Sequence, residues 1–126
     1  NFLGKYFIEN HQESIFHCKR QGIKTLIGCA GAFDTIADLI DKVDPLSKKR
    51  IKQSISLKAF HKIFGILIRS SHSQRLQMKG MDRVRVDLII PAVILIHQII
   101  TKTGIEQIYQ TDYALREGVL YDMLNS

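Results

Sequence analysis

Ile23-Lys-Thr-Leu-Ile-Gly-Cys-Ala-Gly-Ala-Phe-Asp-Thr35 runs from a short apolar, β-prone segment through Gly-x-x-Gly into an amphipathic pattern. Ile23 to Ile27 is too short for a helix and reads as a strand. Beyond the glycines, Ile36, Leu39 and Ile40 form an i, i+3, i+4 stripe, which predicts a helix capped by Asp34 or Thr35 and stopped at Val43-Asp44-Pro45. Strand, glycine turn, helix is an arrangement that brings backbone N–H groups and the positive end of a helix dipole against an anion. Any tight strand-to-helix turn can also require a glycine for its backbone alone. Both readings fit Gly28 and Gly31, because neither a Walker-type Lys-Ser/Thr nor a Gly-x-Gly-x-x-Gly accompanies them.

Outward from this turn the chain reads as helices with one more strand. A helix is predicted from Phe2 to about Arg20, on the face made by Leu3, Tyr6, Phe7, Ile15 and Phe16. Residues 45–55 read as a surface loop. Ser56 is an N-cap for Leu57 to Arg69, whose core face is Phe60, Ile63, Phe64 and Leu67. Gln74 to Lys79 predicts a short helix closed by Gly80. Asp82 is expected to cap a long apolar helix reaching Thr103, with Pro91 kinking it. Glu106 to Thr111 reads as the second strand and Tyr113 to Leu124 as the last helix. Two strands separated by a helical crossover are expected to pair in parallel. The fold class is therefore α/β, helix-rich, with two short parallel strands. Two strands do not make an independent sheet, and the chain opens on Asn1 without an initiator Met. It is expected to be part of a larger protein.

The 126 residues carry a formal charge of +6, are 45% hydrophobic, and suit one domain. The charge favours anionic partners without choosing among them. The densest basic run, Lys48, Lys49, Arg50 and Lys52, has no interleaved aromatics for base stacking and reads as a solvated loop, so nucleic acid is not expected. Two cysteines, Cys18 and Cys29, make no disulfide framework and fit a reducing cytoplasm. Leu88 to Ile100 is apolar but interrupted by His97 and Gln98, a buried helix rather than a membrane span.

Single residues leave choices open. Cys29, at a helix start, has no following Arg to complete a phosphatase loop, so a small residue filling the turn is the favoured reading. His11, His17, Cys18 and Cys29 show no metal-ligand spacing. His97 reads as a core imidazole, and His61 and His72 as surface residues. Arg85 can hold an anion or pair with Asp87. Asp112, Arg116 and Glu117 follow the second strand, at the end of an α/β sheet where ligands bind, or simply pair with neighbours.

Three stretches in fixed order say more: Ile27-Gly-Cys-Ala-Gly-Ala-Phe-Asp-Thr-Ile36, Gly80-Met-Asp-Arg-Val-Arg-Val-Asp-Leu-Ile-Ile-Pro-Ala92 and Thr111-Asp-Tyr-Ala-Leu-Arg-Glu-Gly-Val-Leu120. Together they resemble the exopolyphosphatase/guanosine pentaphosphate phosphatase (Ppx/GppA) family. There the corresponding pieces run roughly Gly-Thr/Ser-x-Gly-Thr, Gly-Leu-x-x-x-Arg-Ala-Asp-x-Ile and Ser-Asp-x-Gly-Leu-Arg-Glu-Gly. The resemblance implies an actin-like ATPase (ribonuclease H-like) fold, with residues 1–126 the C-terminal part of the second of two domains. It implies release of terminal phosphate from inorganic polyphosphate or guanosine pentaphosphate, with magnesium. It places Gly28, Cys29, Ala30 and Gly31 at a cleft-facing turn, with Arg85 and Arg116 in the other two motifs. The family's glycine-rich phosphate loop and catalytic glutamate have no counterpart here, so no catalytic residue and no metal ligand is assigned and the chain alone is expected to be inactive. Its expected partners are the missing first domain and a second copy. Cys29 and Ala32 stand where hydroxyl residues are usual, which keeps open a non-catalytic phosphate- or nucleotide-binding regulatory domain.

Overall fold

A computed structural model describes residues 2–125, the side chain of Arg116 excepted. Three strands, β1 (Thr25–Cys29), β2 (Gln53–Ile55) and β3 (Gln107–Thr111), form one sheet in the order β1-β3-β2. The expected parallel pair is present, with Thr25 opposite Gln107 and Cys29 opposite Thr111. The third strand is new. β2 runs antiparallel to β3, Ile55 opposite Ile108 and Gln53 opposite Gln110, in a segment read from sequence as loop. Three residues are too few to show alternation; β2 forms because β3 offers it an edge.

The register puts Leu26, Gly28, Ile108, Gln110 and Ile55 on one face of the sheet. Helix α3 (Ala32–Asp41) lies on that face and buries Ile36, Ala37 and Leu39 there. Behind α3 pack α4 (Leu57–Arg69) and α6 (Ile89–Thr103), which contribute Phe60, Leu67, Ile89, Val93, Ile96 and Ile100 to the same core. Between them α5 (His72–Leu76) is a single turn closed by a capping box of Ser71 and Gln74. Ser56 caps α4 as expected, its Oγ accepting from Ala59 N at 3.0 Å. On the opposite face of the sheet Ile27 is 65% exposed.

Four local expectations change. The N-terminal helix is two, α1 (Phe2–Asn10) and α2 (Gln12–Arg20), both packed on α6. His11 breaks it, because its Nδ1–H donates to Phe7 O at 2.9 Å and its ring stacks on Phe7, competing with the helical backbone bond. Asp34 and Thr35 cap nothing: α3 begins earlier, and Gly31 is its N-cap. Asp82 caps a short 3-10 turn, Arg83–Arg85, rather than the long helix. Pro91 causes no kink, since α6 begins at Ile89 and proline occupies its first turn, where its missing N–H has no intrahelical partner.

His97 faces α4, stacked on Phe64 at 4.2 Å and edge-on to His61 at 5.6 Å. The ring is half-buried, and burial, then the neighbouring His61, push its pKa down. The last helix, α7 (Leu115–Asn125), gathers its apolar residues on no single face, and Leu115, Tyr121, Met123 and Leu124 are exposed. Among the described residues no helix is long and apolar enough to cross a membrane.

Candidate functional site

The chain leaves β1 at Cys29 and turns into α3 through two residues with positive φ, Ala30 (61°) and Gly31 (59°). For Ala30 this conformation costs on the order of 1 kcal/mol. Gly31, with ψ −123°, adopts a backbone open to glycine and caps α3 without any side-chain hydrogen bond. The positive end of the α3 dipole is thus left uncovered by side-chain capping. Cys29 and Ala30 are exposed and Gly31 is half-buried.

Arg85 reaches this turn. A Cβ on Gly31 would stand 3.1 Å from Arg85 Nη1, so the guanidinium lies against the turn backbone. Its Nε is 3.6 Å from Asp82 Oδ2, while Asp82 Oδ1 accepts from Val84 N at 3.0 Å. A small cleft of about 140 Å³ opens beside it, lined by Ala32, Arg85, Leu88, Ile89 and Ala92. Backbone donors at a helix start, one guanidinium and an apolar wall can seat a small anion.

Gly28 lies elsewhere than expected. It is inside β1 and buried, and a Cβ there would come within 2.0–2.3 Å of the Phe33 ring. Its lack of a side chain lets Phe33 fold back across the strand, while Cys29, Ala30 and Gly31 make the turn. Arg85 does not pair with Asp87. Asp87 instead meets His72 Nδ1 at 2.7 Å and Arg75 Nη2 at 3.4 Å. The His72 hydrogen bond, against a small desolvation cost and with help from Arg75, holds the Asp87 carboxyl below its usual range. The side chain of Arg116 is outside the described residues. Its neighbour Glu117 accepts from Ala114 N at 2.9 Å, tying down the start of α7.

Behind the turn lies a buried polar network that sequence reading missed. Gln110 is wholly buried, and its Nε2 donates to Asp34 Oδ1 at 2.8 Å and to Asp112 Oδ1 at 3.0 Å. Arg50, read as solvated, is 5% exposed. Its Nη1 is 2.9 Å from Asp38 Oδ1 and its Nη2 2.9 Å from Asp41 Oδ2. The Arg50 backbone exchanges hydrogen bonds with Asp112, whose Oδ2 accepts from Arg50 N and whose N donates to Arg50 O. Burial opposes ionisation of Asp41, but hydrogen bonds from Lys48, Arg50 and Gln53 outweigh it and lower its pKa. The period-two spacing of Ile108 and Gln110 could have placed Gln110 on the core face. Nothing local in the sequence pointed to Arg50.

These residues do not fit magnesium. Both Asp112 carboxylate oxygens and Asp34 Oδ1 already accept protein hydrogen bonds. Among the described residues no group of three or more His, Cys, Asp or Glu could hold a metal ion.

Residues 5–126 match the Ppx/GppA phosphatase family. The chain is 24% identical over 106 residues to a Haemophilus influenzae protein named "Putative exopolyphosphatase", covering 83% of this chain and 31% of that protein. A crystal structure of an exopolyphosphatase from Cytophaga hutchinsonii superposes with a TM-score of 0.84 at 30% identity, over 98% of this chain and 41% of that one. An Aquifex aeolicus Ppx/GppA family member superposes at 0.71 with 20% identity, over 95% of this chain and 40% of its own. The chain thus spans less than half the length of each of these relatives, and its small sheet and helices are part of their actin-like architecture. This chain belongs to the Ppx/GppA phosphatase family.

Proposed function

We propose that residues 1–126 form one wall of the substrate cleft of an exopolyphosphatase-type hydrolase. The parent protein would release terminal phosphate from inorganic polyphosphate or from guanosine pentaphosphate, in the cytoplasm. The observation that carries this reading is the placement of the Arg85 guanidinium against the uncapped start of α3. Attack of water on a phosphoryl group needs donors fixed around its oxygens, and backbone N–H groups and a guanidinium supply them. The chemistry itself, and magnesium bound with the substrate phosphates, belong to polypeptide outside this chain. The exposed apolar residues of α7, and Ile27 on the sheet, fit a surface covered by the rest of such a protein.

Cys29 and Ala32 bring no hydroxyl donors to the turn, which favours as second reading a binding domain without catalysis. Phosphate release from polyphosphate and guanosine pentaphosphate separates the two. The complete protein is expected to release phosphate and the isolated 126-residue chain none. Hydrolysis by the isolated chain would overturn the division of labour. Binding without hydrolysis by the complete protein would establish the second reading.

A further inference from the structure

We propose that Arg75 is a positioning residue that aims Arg85 at the Gly31 turn; the inference rests on the anion-site reading above. Arg75 sits in α5 and is 9% exposed, a charge taken almost wholly out of water. Its Nε donates to Val86 O at 2.7 Å, and its Nη1 donates to Ser70 O at 2.8 Å. Its Nη2 faces Asp87 Oδ1 at 3.4 Å, and that carboxylate is held from the other side by His72. One planar guanidinium therefore ties the end of α4 to the two residues that follow Arg85.

The segment that carries Arg85 is fixed at both ends. Upstream, Gly80 packs against the backbone of α3 and Met81 is buried; downstream, Val86 is buried under the Arg75 bond. Between them Arg83 and Val84 are exposed and make no part of the core. Asp82 meets Arg85 from the upstream side, its Oδ2 3.6 Å from Arg85 Nε, and the Arg75 fork holds the Val86–Asp87 peptide on the downstream side, so the backbone from which Arg85 projects is pinned one residue beyond it by Arg75. Lysine is a poor replacement, because a compact ammonium cannot span Val86 O, Ser70 O and Asp87 Oδ1 as the spread N–H groups of a guanidinium do. A buried arginine is a costly device where stability alone is needed, since an apolar residue would hold the loop without desolvating a charge.

The test uses the complete protein, with Arg75→Lys and, in case that variant fails to fold, Asp87→Asn, which weakens the outer anchor together with its His72 contact and leaves the Val86 and Ser70 bonds in place. Ser56→Ala serves as control, because it weakens α4 without touching residues 80–87. Two readouts are taken by NMR: hydrogen exchange at Arg85 Nε with the Gly31 amide shift, and titration with inorganic triphosphate. Arg75→Lys is expected to speed exchange at Arg85 Nε and to weaken triphosphate binding about tenfold, as for a lost charge-assisted hydrogen bond. Asp87→Asn is expected to do the same to a smaller degree, and Ser56→Ala to change neither. Wild-type exchange and an unmoved Gly31 amide in the arginine variant, or in Asp87→Asn should the former not fold, would overturn the proposal. Equal changes in Ser56→Ala would do so as well. A wild-type protein that ignores triphosphate would defeat the anion-site reading alone, while the exchange measurement still decides the positioning.

Discussion

Arg50→Ala is expected to destabilise the fold by about 3–5 kcal/mol, the range for removing one partner of a buried ion pair. Arg50 and Asp38 are 3% and 2% exposed in their side chains, and Asp41 is 18% exposed. Without the guanidinium the buried Asp38 carboxylate loses its ion-pair partner, while Asp41 keeps Lys48 at 2.9 Å. β2 would loosen too, because the Arg50 Nε–H bond to Gln53 and the Gln53 bond to Asp41 anchor that strand. A shift of the urea midpoint measures the loss. The wild type should also show acid sensitivity of known sign. The folded pKa of Asp41 is lowered, so its contribution is fully present above the unfolded value of about 3.9 and is lost as pH falls through the folded value. In Arg50→Ala that acid dependence should flatten. A variant as stable as the wild type would show that the network is incidental.

Gly80→Ala is the second large effect. Gly80 has φ +101°, and a Cβ there would fall 2.5 Å from the carbonyl oxygen of Asp38 and 2.8 Å from Leu39 N. Both neighbours are backbone atoms in the middle of α3 and cannot rotate away. Strain and overpacking together predict a loss of about 2–5 kcal/mol. The change also pushes residues 80–87 away from α3, so Arg85 should leave the Gly31 turn. Chemical denaturation gives the stability, and the Gly31 amide shift reports the displacement. A near-neutral Gly80→Ala would mean that the two segments do not pack this closely.

How far the sequence carried depends on the range of the interactions. Helix α3 and the strand before it were legible because Ile36, Leu39 and Ile40 repeat at helical spacing beside a β-prone run. The core face of α4 was legible for the same reason, and Ser56 marked its start. The start of α6 was hidden. Leu88, Ile89 and Ile90 are uniformly apolar and carry no cap, so on sequence alone the helix starts at Asp82 with Pro91 in its interior. β2 was invisible because its reason to exist lies in β3 and in the pull of Asp38 and Asp41 on Arg50. Sequence proximity left an Arg85–Asp87 pair open, whereas the partners of Asp87 are His72 and Arg75, on another helix. At the turn itself, Gly31 was read for the right physical reason, a backbone that bends where a helix begins. Gly28 had a different one, the close packing of Phe33. The resemblance to the family rested on short motifs in order, which survive when long-range pairings cannot be read.

Titration of the complete protein with polyphosphate, followed at the amides of Gly31, Ala32 and Phe33, tests the central claim most directly. The account predicts that these resonances move together and saturably, and that Arg85→Ala weakens the binding about tenfold. Shifts confined to Lys48, Lys49 and Lys52, or binding indifferent to Arg85→Ala, would contradict it.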